Sequence, residues 1–436
     1  MGLLTIDGYI HRIVDDRINK YLQVFGAVVI EGPKWCGKTT TAKNHAASET
    51  SMTNPAGDFQ ERTIARLEPA LAIKGDRPRL IDEWQDVPKL WDAVRYECDQ
   101  SKEKGLYILT GSTVPKTKKG KDDVDSDSKP RHSGAGRMKR MRMNTMSLLE
   151  LGLSSGEISL SGVFEGRQYA ALSKLDLAGV ADLVVRGGWP DAIGLSTEAA
   201  ILISRGYLDA VINEDIHEID GTRRDVDKVR KMIASLARNE ATLATTKTII
   251  NDISDVGGDT ITYPTFNEYI DALRRMFFVD DIPAWNPALR SPVRIRASVK
   301  HHLADPSLAS AALGASQERL IAEPKTLGFL FESLVTHDLI VYAEAMDACI
   351  RHYHDDVGLE VDLIVEKSDG DWAAFEIKLG FDQVEEAVSS LISLRDKMVD
   401  HGQKPPNAMG VIIGTGGVGH MREDGVQIIP IDTLGV

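Results

Sequence analysis

The chain has 436 residues, a length that corresponds to two to four domains at roughly 150 residues each. Its 51 Lys and Arg against 65 Asp and Glu give a net charge of −14, which excludes a generally basic nucleic-acid-binding protein and leaves only a local patch for contact with DNA. No apolar run approaches a membrane span, the first residues lack the features of a secretory signal, and the three cysteines are too few for a disulfide framework or a zinc site. We expect a cytoplasmic protein without membrane association.

Short apolar runs alternate with helix-compatible segments in the first third of the chain. The runs lie at residues 25–30, 80–81 and 106–109, and each of them ends in polar residues. Runs of this length are typical of buried strands, and their alternation with helices predicts an α/β fold with a parallel sheet.

Residues 32–39 match the phosphate-loop pattern G-x-x-x-x-G-K-[ST] in full, directly after the first apolar run. Backbone N–H groups of such a loop face a phosphate, and the helix that follows adds its positive end. We therefore predict binding of ATP, with Lys38 neutralising the β and γ phosphates and Thr39 ligating Mg²⁺. The predicted nucleotide-binding residues are Gly32, Pro33, Lys34, Trp35, Cys36, Gly37, Lys38, Thr39 and Thr40.

Paired carboxylates end the second apolar run. In a P-loop enzyme Asp82 would hold Mg²⁺ through water, and Glu83 would polarise the water that attacks the γ-phosphate. The alternative is a solvated pair at the start of a helix. The third run ends near Thr110 and Ser112, either of which would sense the γ-phosphate or orient the water.

Arg137 is the candidate for an arginine that reaches the γ-phosphate on a neighbouring subunit, a contact worth roughly 10³–10⁵ in rate. Between Ser112 and Arg137, residues 116–130 contain one apolar residue and place a basic block before an acidic one. This composition predicts a flexible surface insertion at about 115–132.

The middle of the chain is predicted to be helical. The predicted helix has Thr265 placed to cap it, and its residues with the spacing of a one-faced helix are Phe266, Tyr269, Ile270, Leu273 and Phe277. Short helices followed by an extended segment at 278–285 predict a winged helix. A basic stretch near the next domain is a candidate for phosphate contacts with DNA, and a solvated strand face is the alternative. The stretch consists of Arg290, Arg294, Arg296, Lys300, His301 and His302.

The chain resembles prokaryotic ATPases in which an AAA-type P-loop domain is joined to a C-terminal domain of unknown function with a nuclease-like fold. The matching residues are 32–39, 80–88, 109–112, 136–137, 146–148, 187–190 and 375–378. The resemblance implies an ATPase that assembles as a homo-oligomer through its P-loop domains, and a ring is one such assembly. The insertion after Ser112 departs from the family pattern and leaves the geometry around Arg137 open.

A carboxylate and lysine pattern marks the C-terminal region. Asp362 lies on one predicted strand and Glu376-x-Lys378 on the next, while Glu332 lies on a preceding amphipathic helix. Glu376 and Lys378 point to one face of their strand because side chains alternate. This is the pattern of restriction-endonuclease-like nucleases, whose carboxylates hold Mg²⁺ while the lysine steadies the attacking water. The alternative is a retained nuclease scaffold with a Lys–carboxylate surface pair.

These interpretations combine into one domain plan. We predict a P-loop AAA-type ATPase domain at 1–160, a helical lid region at 161–235, a winged-helix-like domain at 236–290 and a restriction-endonuclease-like domain at 291–436. The predicted function is Mg²⁺-dependent ATP hydrolysis that moves the C-terminal domains or a bound partner. Two alternatives stay open: an ATP-gated, metal-dependent DNA nuclease in defence, and an ATP-switched DNA-binding regulator.

Overall fold

The computed structural model describes residues 3–115, 133–219, 221–255, 261–288 and 298–436. The predicted insertion beyond Pro115 lies outside the described residues, as do Arg290, Arg294 and Arg296 of the basic stretch. The chain forms two compact units. The first comprises Met1–Thr145, Glu214–Arg223 and Asp271–Phe278, and the second comprises Met146–Asn213, Arg224–Ile270 and Val279–Val436.

A five-stranded, fully parallel sheet forms the centre of the first unit, with the strand order β2-β3-β4-β1-β5. Both faces of such a sheet are covered, which explains the continuous apolar runs in its central strands. The predicted parallel α/β sheet is confirmed. The strands are β1 (Ala27–Glu31), β2 (Ser48–Ser51), β3 (Arg79–Asp82), β4 (Tyr107–Gly111) and β5 (Met138–Arg142).

Helices cover this sheet on both sides because alternate strand residues point to opposite faces. Val29 lies in a core cluster with Trp91, whereas its neighbour Val28 lies in a second cluster with Ile18. The helices are α1 (Val14–Leu22), α2 (Lys38–Asn44), α3 (Ala56–Leu67), α4 (Pro69–Ala72) and α5 (Lys89–Ser101). A helical turn at Ile216–Glu218 also belongs to the first unit.

The predicted helical middle of the chain is confirmed. The helices are α6 (Leu160–Phe164), α7 (Leu177–Arg186), α8 (Thr197–Ala210), α9 (Val226–Arg238), α10 (Thr246–Asp255) and α11 (Tyr263–Arg275). Helix α11 begins before Thr265, whose N–H bonds to the Thr262 hydroxyl at 3.3 Å, so the predicted cap at Thr265 is wrong. The helix ends at Arg275 and Phe277 has φ 57°, so the predicted inclusion of Phe277 is wrong as well. An antiparallel ladder follows, formed by β8 (Val279–Ile282) and β9 (Lys300–Leu303). Three helices and a two-stranded ladder are the elements of a winged helix in the right order, and the winged helix stays a prediction.

A seven-stranded mixed sheet belongs to the second unit, with the order β10-β11-β12-β13-β15-β14-β7. Its strands are β7 (Ala171–Leu172), β10 (Ala348–His354), β11 (Glu360–Lys367), β12 (Trp372–Lys378), β13 (Ala408–Ile413), β14 (Val418–Met421) and β15 (Val426–Pro430). A short parallel pair joins β6 (Ile158–Ser159) to β16 (Leu434–Gly435). The predicted C-terminal sheet domain is confirmed, and its nuclease-like fold stays a prediction.

Helices α12 (Pro306–Ala312), α13 (Gln317–Ala322), α14 (Pro324–Ala345) and α15 (Val384–Asp400) complete the second unit. Helix α15 contributes Val388 and Leu391 to a core cluster that also contains Val411 of β13. Among the residues that the structure describes, none of the helices has both the length and the apolarity needed to cross a membrane.

Candidate functional site

The backbone conformation of the phosphate loop explains why glycine occupies both glycine positions of the pattern. A Cβ added to Gly32 would lie 2.0 Å from the carbonyl oxygen of Met143, which is far inside van der Waals contact. Gly37 has φ 100°, in the left-handed region that side chains disfavour. The loop therefore curls tightly between the end of β1 and the start of α2, as the sequence pattern predicts.

The Lys38 ammonium lies against this curl. Its side chain is 4 % exposed, and Nζ donates a 2.8 Å hydrogen bond to the carbonyl oxygen of Pro33. Phosphate oxygens are charged and accept stronger hydrogen bonds than a neutral carbonyl. The ammonium can therefore exchange the Pro33 carbonyl for a phosphate oxygen and keep a hydrogen-bond acceptor throughout.

Three hydroxyl groups converge on Asp82 at the carboxyl end of β3. Thr39 and Thr110 each donate to Oδ1 at 2.7 Å, and Ser51 donates to Oδ2 at 3.1 Å. Thr39 and Asp82 are the two residues that the sequence assigned to a metal. Ser51 was missed because β2 has no apolar pattern, although it pairs in register with Asp82 in the sheet.

The donors at this point fit Mg²⁺, a hard cation that prefers oxygen ligands. Thr39 and Asp82 are the protein groups that would hold it. Within the described parts of the chain there is no group of three or more His, Cys, Asp or Glu side chains arranged to hold a metal. Mg²⁺ in nucleotide sites does not require such a group, because waters and phosphates supply most of its ligands.

Glu83 turns its carboxylate toward the end of β4. Its backbone has φ 54°, and Oε2 accepts hydrogen bonds from the Ser112 hydroxyl at 2.8 Å and the Ser112 N–H at 3.3 Å. Gln85 also donates to Oε2. The sequence identified Glu83 and Ser112 separately, and the structure brings them into direct contact. Gln85 lies within the matching stretch 80–88, but the sequence analysis assigned it no role.

Two residues that the sequence analysis did not select, Arg12 and Asp215, contact the phosphate loop. Arg12 is 4 % exposed and donates from Nη1 to the Cys36 carbonyl and from Nη2 to the Asn144 carbonyl, both at 2.9 Å. Lys34 forms an ion pair with Asp215 at 2.5 Å. Arg12 and Asp215 are distant from the loop in sequence, so no spacing signal could have found them.

The remaining predicted loop residues differ in exposure. Trp35 is 51 % exposed and has φ 64°, whereas Cys36 is fully buried. Thr40 is exposed on the first turn of α2. The side chains of Trp35 and Thr40 are therefore accessible to a bound nucleotide, whereas the side chain of Cys36 is not.

Arg137 does not lie at this site in its own chain. It precedes Met138, which pairs with Ala27 at the amino end of β1, whereas the phosphate loop follows the carboxyl end of that strand. Its side chain is 53 % exposed and forms an ion pair with Asp99 at 2.5 Å. A role on a neighbouring subunit stays a prediction.

The four residues predicted for a nuclease-like site do lie together in the second unit. Lys378 Nζ is 2.6 Å from Glu376 and 3.3 Å from Asp362. A residue that the sequence assigned elsewhere, Lys300, joins Glu332 to this group through contacts at 3.0 Å to Glu332 and 3.9 Å to Asp362. The Glu376-x-Lys378 motif and Lys300, which joins Glu332 to it, are therefore far apart in sequence.

The position of Lys300 corrects part of the predicted DNA-binding stretch. Lys300, His301 and His302 are 1 %, 8 % and 3 % exposed. His301 bonds to Asp281 at 2.7 Å. These three side chains are buried among acids, so they do not present positive charge to a phosphate backbone.

Burial dominates the electrostatics of this group. It raises the pKa of Glu332 to about 8, with the charge of Asp362 adding to the effect and Lys300 opposing it. Burial and Asp362 likewise raise the pKa of Glu376 well above its usual value. Burial would also raise the pKa of Asp362, but Lys378, Lys300 and the Ile377 N–H outweigh it and lower that pKa.

Comparisons with known families divide the chain into three. Residues 24–152 match the AAA domain family, residues 178–319 match a domain of unknown function (DUF8612), and residues 327–434 match another (DUF4143). The first match contains every residue predicted for the nucleotide site. At the family level it supports an ATP-binding P-loop ATPase domain, followed by two domains without an assigned function.

Among solved structures, the chain is similar to a Walker-type ATPase of Pyrococcus abyssi. The two are 13% identical with a TM-score of 0.38, over 72% of this chain and 98% of that one. No curated protein is significantly similar to the chain.

Proposed function

We propose that this protein is a Mg²⁺-dependent ATPase that hydrolyses ATP at the carboxyl ends of the strands of the parallel sheet. One observation carries the proposal: the Thr39 hydroxyl and the Asp82 carboxylate are 2.7 Å apart beside the phosphate loop, while Glu83 lies against Ser112 at the next strand end. A metal-binding pair and a base beside one loop support hydrolysis in preference to nucleotide binding alone.

Each residue has a separate task in this mechanism. Lys38 binds the β and γ phosphates in exchange for its bond to the loop carbonyl. Thr39 and Asp82 would hold Mg²⁺, which would neutralise the negative charge of the phosphates. Glu83 takes the proton of a water whose oxygen bonds to the γ-phosphorus as the bond to the β–γ bridging oxygen breaks, which gives ADP and phosphate. A positioned base of this kind contributes about 10²–10⁴ in rate.

Two substitutions separate binding from chemistry. Lys38→Ala is expected to abolish ATP binding, and Glu83→Gln is expected to bind ATP and lose turnover. Lys43→Ala on the same helix and Glu97→Gln on α5 are matched controls, because both residues form surface ion pairs away from the loop. Equal turnover in Glu83→Gln and the wild type would contradict the assignment of the base.

We also propose that the protein assembles as a homo-oligomer in which Arg137 acts on a neighbouring subunit, in a ring or another closed arrangement. The exposure of Arg137, at the end of the sheet opposite its own phosphate loop, supports a contact outside the chain. A mixture of Lys38→Ala and Arg137→Ala chains is expected to recover turnover that each lacks alone. Arg137→Ala that works by itself at the wild-type rate would exclude this role, and mass measurement with and without ATP tests assembly.

ATP is further proposed to drive movement of the C-terminal domains or a bound partner through Lys34. Its partner Asp215 lies in the segment Glu214–Arg223, which is continuous in sequence with chain that belongs to the second unit. A phosphate that competes for Lys34 would release this segment. ATP is then expected to change the protease protection of the segment in the wild type and to change it less in Asp215→Asn.

The two alternatives differ in their support. Gathering of Asp362, Glu376 and Lys378 favours an ATP-gated DNA nuclease in defence, whereas the buried Lys300 among the acids weighs against it. An ATP-switched DNA-binding regulator loses three of its six candidate basic residues to burial. The small number of cysteines, three in 436 residues, supports a cytoplasmic location for all of these functions.

A further inference from the structure

A buried lysine, Lys300, lies among three acids in the second unit, next to a second lysine and a fourth acid. We call this group the C-terminal cluster; it consists of Lys300, Glu332, Glu360, Asp362, Glu376 and Lys378. The Lys300 side chain is 1 % exposed, and Nζ lies 3.0 Å from Glu332, 2.9 Å from Glu360 and 3.9 Å from Asp362. Glu332 and Glu360 lie within hydrogen-bonding distance of the ammonium, and Asp362 is a longer ion-pair contact.

The carboxylate of Asp362 is engaged on both sides. Oδ1 faces Lys300 at 3.9 Å, while Oδ2 lies 3.3 Å from Lys378 and accepts the Ile377 N–H at 2.8 Å. In a nuclease of this pattern the equivalent aspartate oxygens face a metal ion. Lys378 is the lysine of that pattern, whereas Lys300 is an additional cation that faces Oδ1.

Lys300 reaches the cluster from a separate part of the fold. It begins β9, whereas Glu332 lies on α14 and the other acids lie on β11 and β12. An uncompensated buried ammonium is strongly unfavourable, so Lys300 depends on the acids that surround it.

We infer that Lys300 is a built-in cation, which takes the place of a divalent metal ion among Glu332, Glu360 and Asp362. The wild-type C-terminal cluster therefore binds neither Mg²⁺ nor Mn²⁺ and supports no cleavage of DNA through them. Removal of the Lys300 charge leaves hard oxygen ligands facing one another, and a divalent cation that displaces the proton of Glu332 can bind among them.

The test uses the full-length protein without nucleotide and Mn²⁺ as the probe. Lys300→Met keeps most of the apolar stem and removes the ammonium, while Lys300→Arg is the matched control that keeps a positive charge. Lys300→Met is expected to bind one more Mn²⁺ per chain than the wild type, measured by electron paramagnetic resonance. Saturating Mn²⁺ is expected to raise its Tm by about 5 to 10 °C, without a comparable rise in Lys300→Arg.

Adding Asp362→Asn to Lys300→Met is expected to abolish the extra Mn²⁺ site, which locates it in the cluster. If Lys300→Met alone does not fold, Lys300→Gln, which keeps an uncharged hydrogen-bond donor beside the acids and leaves all three of them in place, is used instead. The inference is overturned if the folded variant binds no more Mn²⁺ than the wild type. It is also overturned if the wild type binds a Mn²⁺ that Asp362→Asn removes, or cleaves DNA in a way that Asp362→Asn abolishes.

Discussion

The hydrogen bond between Ser112 and Glu83 gives the sharpest prediction for the proposed ATPase. Ser112→Ala removes a hydroxyl that donates to the Glu83 carboxylate at 2.8 Å and leaves the weaker backbone N–H contact at 3.3 Å. A hydrogen bond to a charged group contributes about 1.5–3 kcal/mol, which corresponds to about 10-fold to 150-fold in rate. Because the backbone contact remains, we expect the lower end, about a tenfold fall in kcat.

The assay is steady-state phosphate release at saturating ATP and Mg²⁺. The KM for ATP is expected to stay within about twofold of the wild type, because the hydroxyl acts on the base and not on the bound phosphates. Ser112→Thr retains the hydroxyl and is expected to keep most of the activity. Thr113→Ala is the matched control, since it removes a hydroxyl one residue away and leaves the Glu83–Ser112 bond intact.

A double variant separates the two ways in which Ser112 could act. If Ser112 works through Glu83, then Ser112→Ala adds no further loss once Glu83→Gln is present, since residues of one catalytic unit are not additive. An equal loss in both backgrounds would show that Ser112 acts on the phosphate and not on the base. Wild-type turnover in Ser112→Ala would refute the reasoning altogether.

Three further predictions concern the loop and the second unit. Gly32→Ala is expected to abolish ATP binding measured by calorimetry, because its Cβ would lie 2.0 Å from the Met143 carbonyl. Arg12→Met is expected to weaken ATP binding about tenfold with kcat less affected, since the Cys36 carbonyl loses a charged donor; unchanged binding would mean that Arg12 does not position the loop. Burial raises the pKa of Glu240 from 4.5 to about 8, so its stabilising contribution is present below pH 4.5 and lost as the pH rises through about 8. Glu240→Gln is therefore expected to gain Tm relative to the wild type as the pH rises, and parallel Tm–pH curves would contradict this.

The sequence predicted the parts of the sheet that carry a local signal. Strands β1, β3 and β4 are apolar runs that end in polar residues, and the phosphate loop has a fixed pattern of glycines. Strand β2 escaped prediction because an edge strand needs to bury less side-chain surface, and its Ser-Glu-Thr-Ser sequence has no apolar residue. Ser51, which bonds to Asp82, was lost with it.

Residues that act through long-range contacts could not be found from sequence. Arg12 and Asp215 reach the phosphate loop only because the chain folds back on it, so neither has a characteristic spacing from the lysine of the loop. Arg137 follows the motif order of the resemblance, yet strand direction places it at the far end of the sheet from its own loop. Direction and register are set by strand pairing, which a motif does not encode.

Lys300 illustrates a different limit. Its neighbours in sequence are basic, and composition alone suggested a surface that contacts phosphates. The structure instead buries it among Glu332, Glu360 and Asp362, each supplied by a later part of the chain. Whether a charge faces solvent or a buried partner depends on tertiary packing, so the local sequence could not distinguish the two.

The most direct test of the central claim is calorimetric titration of ATP into the Glu83→Gln variant with Mg²⁺ present, since this variant is expected to bind without turnover. We predict saturable binding of one ATP per chain, lost when Lys38→Ala is added and weakened when Mg²⁺ is replaced by a chelator. No binding at millimolar ATP, or binding that Lys38→Ala leaves unchanged, would contradict the assignment of the phosphate loop as the nucleotide site.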